Sequence, residues 1–306
     1  MIFSDSYRNQ VNLLVRTLPY VAEEDCFALK GGTAINLFVR DLPRLSVDID
    51  LTYLPIEDRQ TSLIAIGDAL RRIGERIKAA DNSIRVTESA PASQAPANKL
   101  VIRSKERVQI KVEVMPVLRG CVYQPVMMEI SEKTQAQFGF AEMNVLSFSD
   151  LFAGKIMAAL DRQHPRDLFD VSQLLNNEGI SDEMRTALII YLISHDKPPH
   201  SSLAPNLKDI SQEYEQNFVG MTADGVSLDT LTNARENLIE DVVSNMPQFH
   251  KDFLHSFYKR EPQWDLLAID GAQDLPAVRW REQNLDRSGS GTKEDILKKL
   301  EQVIGQ

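Results

Sequence analysis

The sequence predicts an α+β chain in two parts: a mixed sheet with covering helices over residues 1–120, then a mainly helical part over residues 121–306. Three observations carry this reading. Residues 26–51 read as strand, turn, helix, strand: the apolar run Phe27–Leu29 ends at Lys30-Gly31-Gly32-Thr33, and a second run, Val47-Asp48-Ile49-Asp50-Leu51, follows. In residues 108–114, Ile110, Val112 and Val114 alternate with Gln109, Lys111 and Glu113, the period of a half-buried strand. From Ser149 onward the periodicity is helical.

Taken in order, residues 5–20 form an opening helix, with Val11, Leu14, Val15 and Leu18 at helical spacing. A short helix is expected from Thr33 to Arg40. Residues 57–80 form a longer one, striped by Leu63, Ile64, Ile66, Leu70, Ile73 and Ile77; Arg71, Arg72, Arg76 and Lys78 are read as its solvated face rather than a nucleic-acid patch. Strands follow at 84–88, 100–103 and 108–114, the last two joined as a hairpin through Ser104–Arg107. Residues 87–98 are a small-residue loop broken by proline. Residues 116–145, with Pro116, Gly120, Pro125 and Gly139, are read as connecting structure, and the domain boundary is placed there. Ser288-Gly-Ser-Gly291 is read as a linker to a last amphipathic helix capped at Thr292.

The bulk numbers exclude some classes. Of 306 residues, 43% are hydrophobic and 25% charged, ordinary for a globular chain. No apolar run approaches the roughly 18 residues needed to span a bilayer, and the first ten residues lack the basic-then-apolar pattern of a signal peptide. A cytoplasmic monomer with no membrane association is expected. Cys26 and Cys121 sit in apolar surroundings and are read as reduced residues in or near the core. A net charge of −10 argues against indiscriminate nucleic-acid binding. The acidity belongs to the second half: Lys/Arg against Asp/Glu is 18 to 19 in residues 1–150 and 16 to 25 in residues 151–306. A local basic groove in the first half is compatible with that balance. The histidines make no zinc site, because no cysteine lies near His195 and His200 or near His250 and His255. Trp264 and Trp280 are read as packing positions.

Strand residues alternate faces, so Asp48 and Asp50 project from one side. Two adjacent carboxylates raise each other's pKa unless a cation sits between them. Mg²⁺ takes such oxygen ligands and completes its shell with water and substrate phosphates. Glycines at a helix start let backbone N–H groups approach a phosphate closely. Together these parts suit metal-assisted nucleotidyl transfer. A second constellation lies in residues 151–171. Lys155 and Arg162, two helical turns apart, share a face; Pro165 breaks or restarts the helix; Arg166, Asp167 and Asp170 follow. By spacing alone these charges read as salt bridges within the helices.

The glycine turn, helix and Asp-x-Asp strand resemble the DNA polymerase β-type nucleotidyltransferase superfamily. The fuller strings Lys30-Gly-Gly-Thr-Ala34 and Arg44-Leu-Ser46-Val-Asp48-Ile-Asp50-Leu51, and the lysine followed by Arg166-Asp167-x-x-Asp170, resemble the AbiEii/AbiGii-type nucleotidyltransferase toxins of type IV toxin–antitoxin systems. Strings near Phe218–Thr222, Ala234-Arg235, Pro262-x-Trp264 and Leu275–Trp280 extend the resemblance over roughly residues 26–285. It implies a polymerase β-like sheet domain, with the helical domain contributing Lys155 and Asp167 or Asp170 to the cleft. It implies Asp48, Asp50 and Glu113 as Mg²⁺ ligands and catalytic acids, with Lys155, Asp167 and Asp170 completing the catalytic set. Lys30, Gly31, Gly32, Thr33, Ser46, Lys155, Arg162 and Arg166 are the expected contacts to a nucleoside triphosphate. The implied function is a toxin that moves a nucleotide from that triphosphate to RNA, with the tRNA acceptor end as the leading acceptor and a separately encoded antitoxin as partner. It further implies that phosphorylation at Ser46 silences activity. The rival readings are transfer to a small molecule or a protein, and an inert nucleotide-binding module.

Overall fold

A computed structural model describes residues 5–92, 95–222 and 224–305. The chain divides into two compact units, Met1–Ser147 with Gly220–Gly225, and Phe148–Val219 with Val226–Gln306.

The first unit is built on a seven-stranded mixed sheet. Its strands are β1 (Phe27–Lys30), β2 (Asp48–Tyr53), β3 (Arg85–Ser89), β4 (Lys99–Arg103), β5 (Gln109–Val114), β6 (Val126–Glu129) and β7 (Glu142–Val145), in spatial order β3-β4-β5-β2-β1-β7-β6. β2 lies centrally, antiparallel to β1 and parallel to β5. Its Ile49 and Leu51 are completely buried, as are Leu29, Leu100 and Val112 on neighbouring strands. Each such side chain contributes about 1.5–3 kcal/mol by leaving water, and a slip of one residue would turn that row outward. The register is therefore well specified, and it places Lys30 opposite Asp50, Asp50 opposite Glu113, and Glu113 opposite Lys99.

Helix α1 (Asp5–Ala22) buries its expected stripe, and α3 (Arg59–Ala80) buries Ile66, Leu70, Ile73 and Ile77, whereas Leu63 is only partly covered and Ile64 is exposed. Asp58 caps α3, its carboxylate accepting from the backbone N–H groups of Gln60 and Thr61. Three cations of α3 have protein partners. Arg71 pairs with Asp68 and Glu75, while Arg72 and Arg76 converge on the buried Glu24 that follows α1. The expected solvated face thus partly serves to tie α3 to the end of α1.

Three sequence readings are corrected in this unit. The contact division falls at Ser147, not at residue 120, because β6 and β7 complete the sheet, with α4 (Glu132–Phe138) between them. These strands have four residues each, too short to show periodicity between prolines and glycines. β7 runs parallel to β1, pairing Val145 with Leu29. Residues 220–225 also return to this unit: Leu45 N donates to Met221 O at 2.8 Å, and Arg44 forms a bridge with Thr222. Second, the short helix begins at Gly31, runs as one turn (α2, Gly31–Thr33) and continues as a π-helix over Ala34–Val39. Third, the β4–β5 loop is one residue longer than the four-residue turn expected. Arg107 adopts a left-handed φ of 65°, Arg103 pairs with Gln109, and Ser104 N donates to Val108 O. That shift brings Lys99 opposite Glu113. Cys26 and Cys121 are free thiols, neither fully buried. Burial, helped by the Glu24 charge, pushes the Cys26 thiol up to about 11.

The second unit is helical: α5 (Phe148–Arg162), α6 (Pro165–Asn177), α7 (Asp182–Ser194), α8 (Pro199–Leu203), α9 (Ser211–Asn217), α10 (Leu228–Ser244), α11 (Gln248–Tyr258), α12 (Pro276–Arg287) and α13 (Ser290–Ile304). α5 packs on α7, and α6 on α5 and α10. The helix does restart at Pro165, which takes the first position of α6, while His164 caps it by accepting from Arg166 N. The expected Ser288–Gly291 linker is shorter than read, since α13 starts at Ser290, with Gly289 at its N-cap. Trp264 packs on Phe253 and Phe257, as expected, whereas Trp280 is 45% exposed and does not pack in the core. Among the described residues, no helix is long and apolar enough to cross a membrane.

Candidate active site

In the first unit the sheet register assembles most of the predicted constellation. Asp48 and Asp50 share one face of β2, both half-buried, while Ile49 between them points into the core. Glu113 lies beside Asp50 on the parallel strand, and Lys30 beside it on the antiparallel one. Burial pulls the Lys30 ammonium below the usual lysine range, with the Asp50 charge working against it. The Glu113 carboxylate meets Lys99 Nζ at 2.7 Å. The row across four strands therefore reads cation, acid, acid, cation.

The glycine turn is fitted to this strand from above. Gly31 has φ +73°, and a Cβ built on it would lie 2.7 Å from Asp50 Oδ2. A Cβ on Gly32 would lie 2.7 Å from Arg44 Nη2 and 2.9 Å from Ser46 Oγ. Both positions thus require glycine to bring the turn against charged and polar groups of its own β2 region. Thr33 Oγ1 hydrogen-bonds Ser46 Oγ at 3.0 Å and donates to the Asp48 carbonyl, and Asn36 Nδ2 donates to Gly32 O at 2.9 Å. Ser46 is only 8% exposed, so phosphorylation there needs the turn to open.

In the second unit the predicted charges form a buried cluster. Lys155 Nζ lies 2.8 Å from Asp167 Oδ1 and 3.0 Å from Asp170 Oδ2, and all three side chains are at most 5% exposed. Arg162 reaches in from solvent to make two hydrogen bonds to Asp167. Lys155 and Arg162 do share a face. Lys155, expected as an open point charge for phosphates, is enclosed by two carboxylates. Arg166 lies beside the cluster, its backbone N–H used by the His164 cap. The turn between α5 and α6 is held by Gln163, which is left-handed at φ 54° and donates to Asn206 O at 2.8 Å.

Burial raises the pKa of Asp167, but the Lys155 charge and the Arg162 contacts outweigh it and hold the carboxyl far below its usual range. A depressed folded-state pKa contributes stability that is complete above the unfolded value, about 3.9, and is lost as pH falls from there through the lower folded-state value. The Tm gap between the wild type and Asp167→Asn is therefore expected to be widest near neutral pH and to shrink between about pH 5 and pH 2. Thermal melts by circular dichroism across that range check it; a gap independent of pH contradicts it.

The family model described as nucleotidyl transferase AbiEii toxin, type IV TA system, matches residues 12–268. The chain belongs to this family. Like other AbiEii-type proteins, it is thus a nucleotidyltransferase toxin of a type IV toxin–antitoxin system. Among solved structures it is similar to MenT4, a nucleotidyltransferase toxin from Mycobacterium tuberculosis, at 12% identity and a TM-score of 0.61, over 96% of this chain and 93% of that one. At that identity the likeness shows the fold: a nucleotidyltransferase sheet followed by a helical region. Terminal uridylyl transferase 4 from Trypanosoma brucei, with bound UTP and UMP, is 12% identical over 79% of this chain and 73% of that one. Its TM-score of 0.30 carries no argument. No protein of curated function matches the chain by sequence.

Nucleotidyltransferases of the AbiEii kind generally use a divalent cation, and the donor set fits one. Asp48 and Asp50 are hard oxygen donors on one strand face, beside the glycine turn. Among the described residues no three His, Cys, Asp or Glu side chains converge as a ready-made cage. A two-carboxylate site completed by water and substrate oxygens is how Mg²⁺ is usually held. Two residues of this AbiEii chain lie outside the sequence-based site. Lys99 comes opposite Glu113 only with the five-residue β4–β5 loop, one residue longer than the sequence predicts. Arg44 precedes the Asp-x-Asp strand, where no periodicity marks a buried arginine.

Proposed function

We propose that this AbiEii-type protein uses Mg²⁺ held by Asp48 and Asp50 to transfer a nucleoside monophosphate from a triphosphate to an RNA 3′ end, the tRNA acceptor end above all. The observation that carries this reading is the glycine turn seated on the Asp50 carboxylate, with Glu113 in register beside it. The acceptor hydroxyl attacks the α-phosphate; a new oxygen–phosphorus bond forms, the bond to the β-phosphate oxygen breaks, and pyrophosphate leaves. The cation supplies charge neutralisation at the transferring phosphoryl group. Backbone N–H groups from Gly31 to Thr33 orient the phosphates. Lys30 balances Asp50. Glu113, drawn from Lys99, joins the acidic pair as third ligand or as acceptor of the hydroxyl proton. The family resemblance assigns Lys155, Asp167, Asp170, Arg162 and Arg166 to the same reaction; in their own unit Lys155, Arg162, Asp167 and Asp170 form an ion cluster that fixes the α5–α6 joint. A single-stranded 3′ terminus suits recognition by stacking and edge contacts. A cognate antitoxin completes the system.

Incubation with each of four α-³²P-labelled triphosphates, against purified total tRNA and against total protein, tests the acceptor. Label is expected in tRNA, lost on periodate oxidation of its 3′ end beforehand. Label in protein alone contradicts the reading.

A further inference from the structure

Arg44 is only 2% exposed and is among the largest fully buried side chains of the molecule. A guanidinium is costly to bury unless it is paired or hydrogen-bonded. Its Nη1 donates to Leu45 O at 2.9 Å. Its Nη2 stands 2.7 Å from the point a Gly32 Cβ would occupy, and Ser46 Oγ stands 2.9 Å from the same point. Gly31, the preceding residue, meets Asp50 Oδ2 at 2.7 Å in the same sense. The glycine turn is therefore gripped by an acid at one residue and a guanidinium at the next. The backbone around Arg44 is fixed without its side chain, by the bridge to Thr222 and the bond from Leu45 N to Met221 O.

We propose that Arg44 is a positioning residue for nucleotidyl transfer, whose buried guanidinium braces the Gly31–Gly32 turn and supplies fixed positive charge to the polyphosphate bound there. A charge set in place by packing needs no reorganisation when an anion arrives, and a weakly hydrated, always charged guanidinium suits burial better than an ammonium. This also explains Gly32: the missing side chain makes room for Arg44 as much as for a ligand. The inference rests on the phosphate-binding reading of the turn.

The test compares Arg44→Lys, which keeps the charge, with Arg44→Met, which keeps the length and removes it. Binding of two probes is measured calorimetrically with Mg²⁺: the non-cleavable α,β-methylene analogues of the four triphosphates, and inorganic tripolyphosphate. Arg44→Met is expected to weaken both probes about tenfold or more, and Arg44→Lys no more than about threefold, at similar Tm. A purely structural arginine moves Tm in both variants and leaves the two affinities equal; that result, or unchanged affinity in Arg44→Met, overturns the inference. Should Arg44→Met not fold, Arg44→Gln takes its place in the same comparison. Failure of the wild type to bind either probe overturns the phosphate reading itself, and the inference with it.

Discussion

Asp50→Asn abolishes transfer while the fold survives: activity is expected to fall by at least about 10³-fold. The carboxylate has two neighbours of opposite demand, Lys30 and Glu113, and touches the glycine turn. Losing one ligand of the cation removes several kcal/mol of charge stabilisation at the transferring phosphoryl group, and about 4 kcal/mol is three powers of ten in rate. Asparagine keeps the shape that Gly31 packs against, and the strand pairing is backbone-borne, so Tm should move by only a few degrees. Initial rates of label transfer, beside a thermal melt, read both quantities. Near-wild-type transfer by folded Asp50→Asn sinks the assignment. Asp48→Asn is expected to behave alike.

The second large effect is on stability. Lys155→Met leaves Asp167 and Asp170 facing each other, both nearly inaccessible to water. Breaking a buried ion cluster by removing one partner costs about 3–5 kcal/mol. For a unit of this size that is a fall on the order of 10 °C in Tm. The triple variant Lys155→Met, Asp167→Asn, Asp170→Asn should recover part of the lost Tm, since no buried carboxylate is left without the Lys155 ammonium, and Arg162, 62% exposed, stays in water. Chemical denaturation of the single and triple variants measures this. A single variant as stable as wild type contradicts the cluster's structural role and returns Lys155 to the standing of an open phosphate ligand.

How much of this was legible in the sequence follows from the physics of each element. β2 and β5 were readable because one face is core and the other polar, so Ile49, Leu51, Val112 and Val114 alternate cleanly with Asp50 and Glu113. α1 and α3 were readable because long stripes accumulate signal. β6 and β7 were not, because four-residue strands are set by their neighbours in the sheet rather than by their own pattern. The partner of Glu113 depended on one loop residue, Arg107, adopting a left-handed conformation that no composition rule demands of arginine. The Lys155 face was readable from helical spacing; its enclosure by both aspartates was not, because it depends on the angle between α5 and α6, set at Gln163. The roles of the two sites came from family resemblance, and their geometry came from the structure.

The central claim is that Asp48 and Asp50 hold the cation. Mn²⁺, a spectroscopic stand-in for Mg²⁺ at oxygen-ligand sites, can be titrated by electron paramagnetic resonance with a non-cleavable triphosphate analogue present. The account predicts that the wild type removes one equivalent of free Mn²⁺ signal, and that the Asp48→Asn, Asp50→Asn double variant, folded by circular dichroism, does not. Equal Mn²⁺ uptake by both proteins would contradict it.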